Sequence, residues 1–250
     1  MMTLWIKTIV FSLFMVAIGN CMFSETAIDT LQVGTREHSK TSWQFSVPFL
    51  LVSASFLTLP EFSPINKLKV RDAVQSSFPG FRTHIDDGLW AVPAVSAYAL
   101  HLIGVKGRND LLNTTLLVLK SQLFTEILVE PLKYTTQVLR PDSSTRNSFP
   151  SGHTARAFAV ATCFHREFGD KSIWYSVGGY TIASVTGLLR IMNNRHWITD
   201  VLGGATIGIV SAQLAYGTHR YRWGKCSVQL SCLPIWFANS EKQLMFVINW

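Results

Sequence analysis

KYTTQVLRPDSSTRNSFPSGHTARAFAVATCF (residues 133–164) and LRIMNNRHWITD (residues 189–200) decide how this 250-residue chain folds. In the first stretch six residues separate Lys133 from Arg140. Pro141 then ends regular helix and holds the backbone before it extended. Pro150-Ser151-Gly152-His153 opens the apolar run TARAFAVATCF. Ser151 suits an N-cap there, and Gly152 lets the backbone approach a ligand closely. In the second stretch Arg190, His196 and Asp200 follow at spacings of six and four. The spacing of four puts His196 and Asp200 on one helix face, within hydrogen-bonding reach.

These residue types have a common chemistry. An ammonium and a guanidinium converging on one point bind an anion, and the planar fork of Arg matches phosphoryl oxygens bidentately. A helix start offers free N–H groups and the positive end of a dipole to a phosphate. His153 in that first turn has its pKa lowered by the dipole and raised by a bound dianion. A carboxylate on one ring nitrogen of His196 fixes the tautomer and leaves the other lone pair free to attack. Arg190 adds a second guanidinium. Each element alone has a plain explanation: a solvated basic pair, a capped helix, a structural His–Asp pair. Ten specified residues at fixed spacings, at about one chance in twenty each, coincide about once in 10¹³ registers. Together they are the parts for metal-free phosphoryl transfer.

Outward from this core, charge-free windows recur at Thr41–Pro60, Gly88–Val105, Ser172–Leu189 and Val201–His219. Each approaches the ~20 residues an apolar helix needs to cross a bilayer. Leu111–Lys133 and Thr154–Phe168 also read as helices but carry Lys120, Glu126, Glu130, Arg156 and Arg166. Charges in a spanning helix face the bundle interior or a polar cavity. Gly204 and Gly208, at GxxxG spacing, permit close helix packing. Charged residues are 15% of the chain, against about 25% in soluble domains. Eight Trp and sixteen Phe exclude a disordered chain. Four scattered Cys exclude a disulfide scaffold or zinc ribbon, and no nucleic-acid-binding motif is present. The net charge is 22 − 15 = +7. Much of it lies in Lys106, Arg108, Arg166, Lys171, Arg220, Arg222 and Lys225, between or after the helical windows. The positive-inside rule makes that side cytoplasmic and exports the motif residues.

The motifs closely resemble the signature of the type 2 phosphatidic acid phosphatase superfamily, K-x6-R-P, P-S-G-H and S-R-x5-H-x3-D. That superfamily groups lipid phosphatases with bacterial acid phosphatases and vanadium-dependent haloperoxidases. Here the elements are Lys133-x6-Arg140-Pro141, Pro150-Ser151-Gly152-His153 and Leu189-Arg190-x5-His196-x3-Asp200, with Leu189 in place of the usual Ser. The resemblance implies an all-α, membrane-integrated helical bundle of the acid phosphatase/vanadium-dependent haloperoxidase type. It implies His196 as nucleophile, Asp200 orienting it and His153 as acid and then base. Lys133, Arg140, Arg190 and the amides of Ser151 and Gly152 would bind the phosphoryl oxygens, with no metal and no cofactor. The expected substrate is a phosphorylated lipid: a polyprenyl diphosphate, a phosphatidate-type lipid or a lipid A phosphate. A soluble exported acid phosphatase of broad specificity, or a vanadate-dependent haloperoxidase, is the alternative. The expected setting is a bacterial inner membrane with the site facing the periplasm.

Domain boundaries follow. Residues 1–24 read as a signal peptide or an N-terminal membrane anchor, with Lys7 before an apolar run and Ala17-Ile18-Gly19 offering a cleavage site. Residues 25–225 form the helical phosphatase domain, with its catalytic core at 111–216. Residues 226–250 are a tail patterned as a β-hairpin. The connector 61–87 is polar and carries no legible motif.

Overall fold

A computed structural model describes residues 66–219 and two strands, 230–236 and 242–248. The expectations for residues 1–24 and Thr41–Pro60, and for Arg220, Arg222 and Lys225, lie outside the described residues. Seven helices run through 66–219: α1 (Lys67–Ser77), α2 (Ile85–Leu89), α3 (Val92–Leu102), α4 (Leu111–Thr136), α5 (Gly152–Phe168), α6 (Ile173–Met192) and α7 (Ile198–Gly217). They form a helical bundle with α5 at its centre, packed against α3, α4, α6 and α7.

Small side chains explain why α5 is central. Ala155, Ala157, Ala159 and Ala161 are fully buried along it. α7 meets it with glycines: a Cβ at Gly204 would fall 2.5 Å from the Ser151 carbonyl oxygen, and one at Gly208 would collide with the Ala155 carbonyl. The two backbones therefore touch, which fixes the start of α5 against the start of α7. The GxxxG spacing serves this close approach.

Gly88–Val105 departs from expectation, because it is not one helix. Pro93 stands in the first turn of α3 and has no N–H for the Leu89 carbonyl, so the five-residue α2 ends and α3 begins anew. The 11 residues of α3 span about 16 Å, short of a hydrocarbon core of about 30 Å. Among the described residues one helix, Ile198–Gly217, is long and apolar enough to cross a membrane, and most of it is buried in the bundle.

The ends of the bundle differ. At the C-terminal end of α5 the buried Glu167 carboxylate accepts from Asn109 N and Nδ2, both at 2.8 Å, and from Tyr216 Oη at 2.6 Å. Arg108 N donates to the Glu167 carbonyl at 3.0 Å. The segments bearing Lys106, Arg108, Arg166 and Lys171 thus meet at one end, and Ser151 begins α5 at the other. Separately, β1 (Leu230–Trp236) and β2 (Lys242–Ile248) pair antiparallel, with Leu230 opposite Ile248 and Trp236 opposite Lys242.

Candidate active site

α4 stops at Gln137, whose left-handed backbone (φ 46°) turns the chain into a strap of residues 137–150. Ser148 N donates to Val138 O and Arg140 N to Thr145 O, each at 3.0 Å. The Trp197 indole Nε1 donates to Leu139 O at 2.8 Å. The strap therefore lies against the turn between α6 and α7, which carries His196.

His196 is buried, with 3% of its surface exposed. Its Nδ1 lies 2.8 Å from the Ser148 carbonyl, which can only accept. Nδ1 therefore carries the proton, and Nε2 keeps a free lone pair. Asp200 faces the imidazole and also reaches it through Ser148. Its Oδ2 is 3.6 Å from His196 Nδ1, an ion-pair distance too long for a hydrogen bond. That oxygen accepts from Ser148 Oγ and, at 2.9 Å, from Trp197 N. Asp200 thus holds the residue that holds the imidazole. Burial lowers the pKa of His196; Asp200 opposes that, while Arg190 and Arg140 add to it. Both guanidiniums therefore lie within electrostatic reach of this ring.

His153 stands in the first turn of α5. Its Nε2 is 3.2 Å from Asp87 Oδ1, and the same oxygen lies 3.3 Å from Arg190 NH1. Arg190 also donates to the fully buried Asp86 at 2.6 Å, and Asp86 accepts from Asn193 Nδ2 at 3.2 Å. Asn193 in turn holds Thr83 through both its N and O, each at 2.9 Å. The connector is thereby tied to the end of α6. Burial and the Arg190 charge push the pKa of His153 down to about 4, with Asp87 pulling the other way.

Lys133 and Gly152 meet as expected: Lys133 Nζ would lie 3.4 Å from a Cβ at Gly152. Lys133 is also paired with Glu130 at 2.8 Å. Ser151 departs from its expected role. Its N–H donates to the Asp200 carbonyl at 3.0 Å, and its Oγ pairs with Thr154 Oγ1 at 2.9 Å. It is therefore tied up in positioning and gives α5 no side-chain cap. The amides left to face an anion are those of Gly152 and His153. The Nε atoms of Arg140 and Arg190 are buried with no hydrogen-bond partner. Unmatched donors of this kind are rare in folded proteins and call for a ligand.

All eight residues singled out in the motifs thus converge around one strap and two helix starts. The motifs missed Asp86, Asp87, Ser148 and Asn193. Two adjacent carboxylates at the edge of an apolar window, in a charge-poor chain, were the available signal for the first two. No group of three or more His, Cys, Asp or Glu side chains is placed to hold a metal among the described residues.

The helical bundle gathers two histidines, three cations and a helix start in one place, a set of groups chemically able to hold an anion. Residues 114–224 match the PAP2 superfamily model. It is 43% identical over 180 residues to the lipid A 1-phosphatase of Porphyromonas gingivalis, covering 71% of this chain and 38% of the relative. It is 32% identical to a probable lipid phosphate phosphatase beta of Arabidopsis thaliana, covering 29% of this chain and 46% of that protein. The chain thus spans less than half the length of either curated relative. Among solved structures it is similar to a transmembrane PAP2-type phosphatidylglycerolphosphate phosphatase from Bacillus subtilis. That match has 21% identity, covers 70% of this chain and 94% of the other, and has a TM-score of 0.47.

Proposed function

We propose that this chain is a lipid phosphatase that cleaves phosphate monoesters through a phosphohistidine on His196. The observation that carries the reading is the buried His196. Its Nδ1–H is committed to the Ser148 carbonyl, and two guanidiniums with unmatched Nε donors act on the ring. Nε2 attacks phosphorus as the bond to the leaving oxygen breaks, and His153 protonates that oxygen. His153 then takes a proton from water, whose oxygen attacks the phosphohistidine. The P–N bond breaks, releasing inorganic phosphate and restoring the Nε2 lone pair. Arg140, Arg190, Lys133 and the first-turn amides of α5 neutralise the charge that builds on the phosphoryl oxygens, where donors set in place act most strongly. The first step requires Asp87 to yield Nε2 of His153 to the leaving oxygen.

Both curated relatives carry lipid phosphatase names, which supports a lipid substrate. A membrane setting is supported by exposed apolar side chains on outer helix faces: Leu119, Leu123 and Ile127 on α4, and Trp174, Val177 and Leu188 on α6. The basic end at Lys106, Arg108, Arg166 and Lys171 would face the cytoplasm and the site the periplasm of a bacterial envelope. The test is phosphoenzyme trapping with a ³²P-labelled substrate. Wild type should yield an acid-labile, base-stable adduct, and His196→Ala none. Label retained by His196→Ala would refute the assignment.

A further inference from the structure

A groove between α3 and α6 lies outside the machinery described above. Its volume is about 390 Å³. α3 and its C-cap line it with Pro93 and Ile103, α6 with Trp174, Gly178 and Ile182, and α5 with Phe164. No lining residue is charged. Glycines shape the trough. A Cβ at Gly179 would lie 3.1 Å from the Phe164 ring, so α6 approaches α5 closely there, and one at Gly178 would meet nothing within 4 Å. From Pro93 to Ile103 the groove follows ten residues of rise, about 15 Å. That is half of a hydrocarbon core of about 30 Å, the depth of one leaflet.

One end of the groove is charged. Lys106 follows Ile103 by three residues, and Lys171 precedes Trp174 by three. Val105 and Tyr175 pack on the same cluster of Phe164 and Phe168, and Lys171 N donates to the Phe168 carbonyl at 3.0 Å. Both lysines therefore flank one mouth of the trough. Segments 103–108 and 170–174 carry Lys106, Arg108 and Lys171 against a single carboxylate, Asp170. Lys106 and Lys171 are exposed and have no ion-pair partner among the described residues. Trp174 at the same end is 74% exposed, as suits an indole at head-group level. An apolar trough one leaflet deep, with cations at its mouth, complements a hydrocarbon chain that ends in negative charge. His153 stands eleven residues of α5 away from Phe164, about 16 Å, so a lipid seated here is not placed for cleavage.

We infer that this groove is a binding site for an anionic phospholipid of the bilayer, separate from the catalytic site. One acyl chain lies in the trough, and the phosphate sits between Lys106 and Lys171, as basic pockets between helices hold lipid head groups. The inference rests on the membrane setting proposed above.

The experiment is native mass spectrometry of the full chain in one detergent, titrated with phosphatidylglycerol, phosphatidylcholine or the deacylated phosphatidylglycerol head group. Phosphatidylglycerol is a diester, which the proposed monoesterase does not consume. Wild type should bind one phosphatidylglycerol at least tenfold more tightly than phosphatidylcholine, and should not retain the bare head group. Each Lys facing an anionic lipid is worth roughly fivefold in affinity. The double variant Lys106→Gln/Lys171→Gln should therefore bind the two lipids equally. Gly178→Leu fills the trough and should weaken both lipids at least tenfold. An unchanged unfolding midpoint in detergent alone reports that each variant is folded. A preference for phosphatidylglycerol that survives the double variant, or undiminished lipid binding by Gly178→Leu, would overturn the site. So would equal affinity of wild type for the two lipids, which would make the groove plain hydrocarbon cover, or a groove-dependent dimer in place of bound lipid. A wild-type chain that stays monodisperse without detergent and binds neither lipid would instead overturn the membrane setting itself.

Discussion

Asp87→Asn isolates the electrostatic coupling at the proposed acid. Asp87 lies 3.2 Å from His153 Nε2, and asparagine keeps its size while removing the charge. Burial works against ionisation of Asp87. The His84 hydrogen bond and the charges of His153 and Arg190 outweigh it, and the carboxyl sits below its ordinary value. It is therefore ionised throughout the range in which an ordinary carboxyl is, and its charge favours protonated His153. At 3.2 Å and full water screening, two unit charges interact by 332/(80 × 3.2), or about 1.3 kcal/mol. Water screening suits Asp87, whose side chain is half exposed. Removing the charge should lower the pKa of His153 by about one unit. Protonated His153 is the acid, so kcat/KM falls as pH rises through that pKa. The falling limb of the variant should begin about one unit earlier, with the low-pH plateau unchanged. The assay is kcat/KM for phenyl phosphate against pH, where the titration of the substrate is common to both proteins. A uniform loss at every pH, or a limb displaced upward, would refute the coupling.

Three further outcomes are expected. Ser148→Ala removes one partner of the buried Asp200 carboxylate but keeps the carbonyl that holds His196. It should cost about 1–3 kcal/mol of stability, read by thermal unfolding, while phosphoenzyme still forms. Gly208→Ala drives a methyl into the Ala155 carbonyl and should cost about 1–3 kcal/mol or more by overpacking; an unchanged unfolding midpoint would contradict the backbone contact between α5 and α7. The pKa of His153 is depressed in the folded chain, so the unfolded chain binds more protons between about pH 4 and the ordinary value of 6.5. Stability should then fall as pH drops through that window, by at most about 3 kcal/mol from this residue, and His153→Gln should flatten the fall.

How much of this could be read from the chain alone depends on sequence distance and on which atoms do the work. The helix starts of α5 and α7 and the cations around them were legible because local spacing places them. Asp86 reaches Arg190 across 104 residues, and no local pattern carries that pairing. Ser148 acts on His196 through its backbone oxygen, a group every residue has. Asp200 was legible as the partner of His196, whereas its second link to the imidazole through Ser148 was not. At Gly88–Val105 the absence of charge pointed to one long helix, while Pro93 already carried the reason for the break.

The strap beside His196 is closed on itself, Val138 to Ser148 and Arg140 to Thr145, and tied to the turn before α7 at both ends, Leu139 to Trp197 and Ser148 to both His196 and Asp200. A segment tied at so many points is a fixed roof, without the hinge that a flap would need. With such a roof, substrate and product would pass beside it, and turnover would not wait on loop opening as it does in lidded enzymes. For such a catalyst, raising solvent viscosity would leave the chemical step untouched.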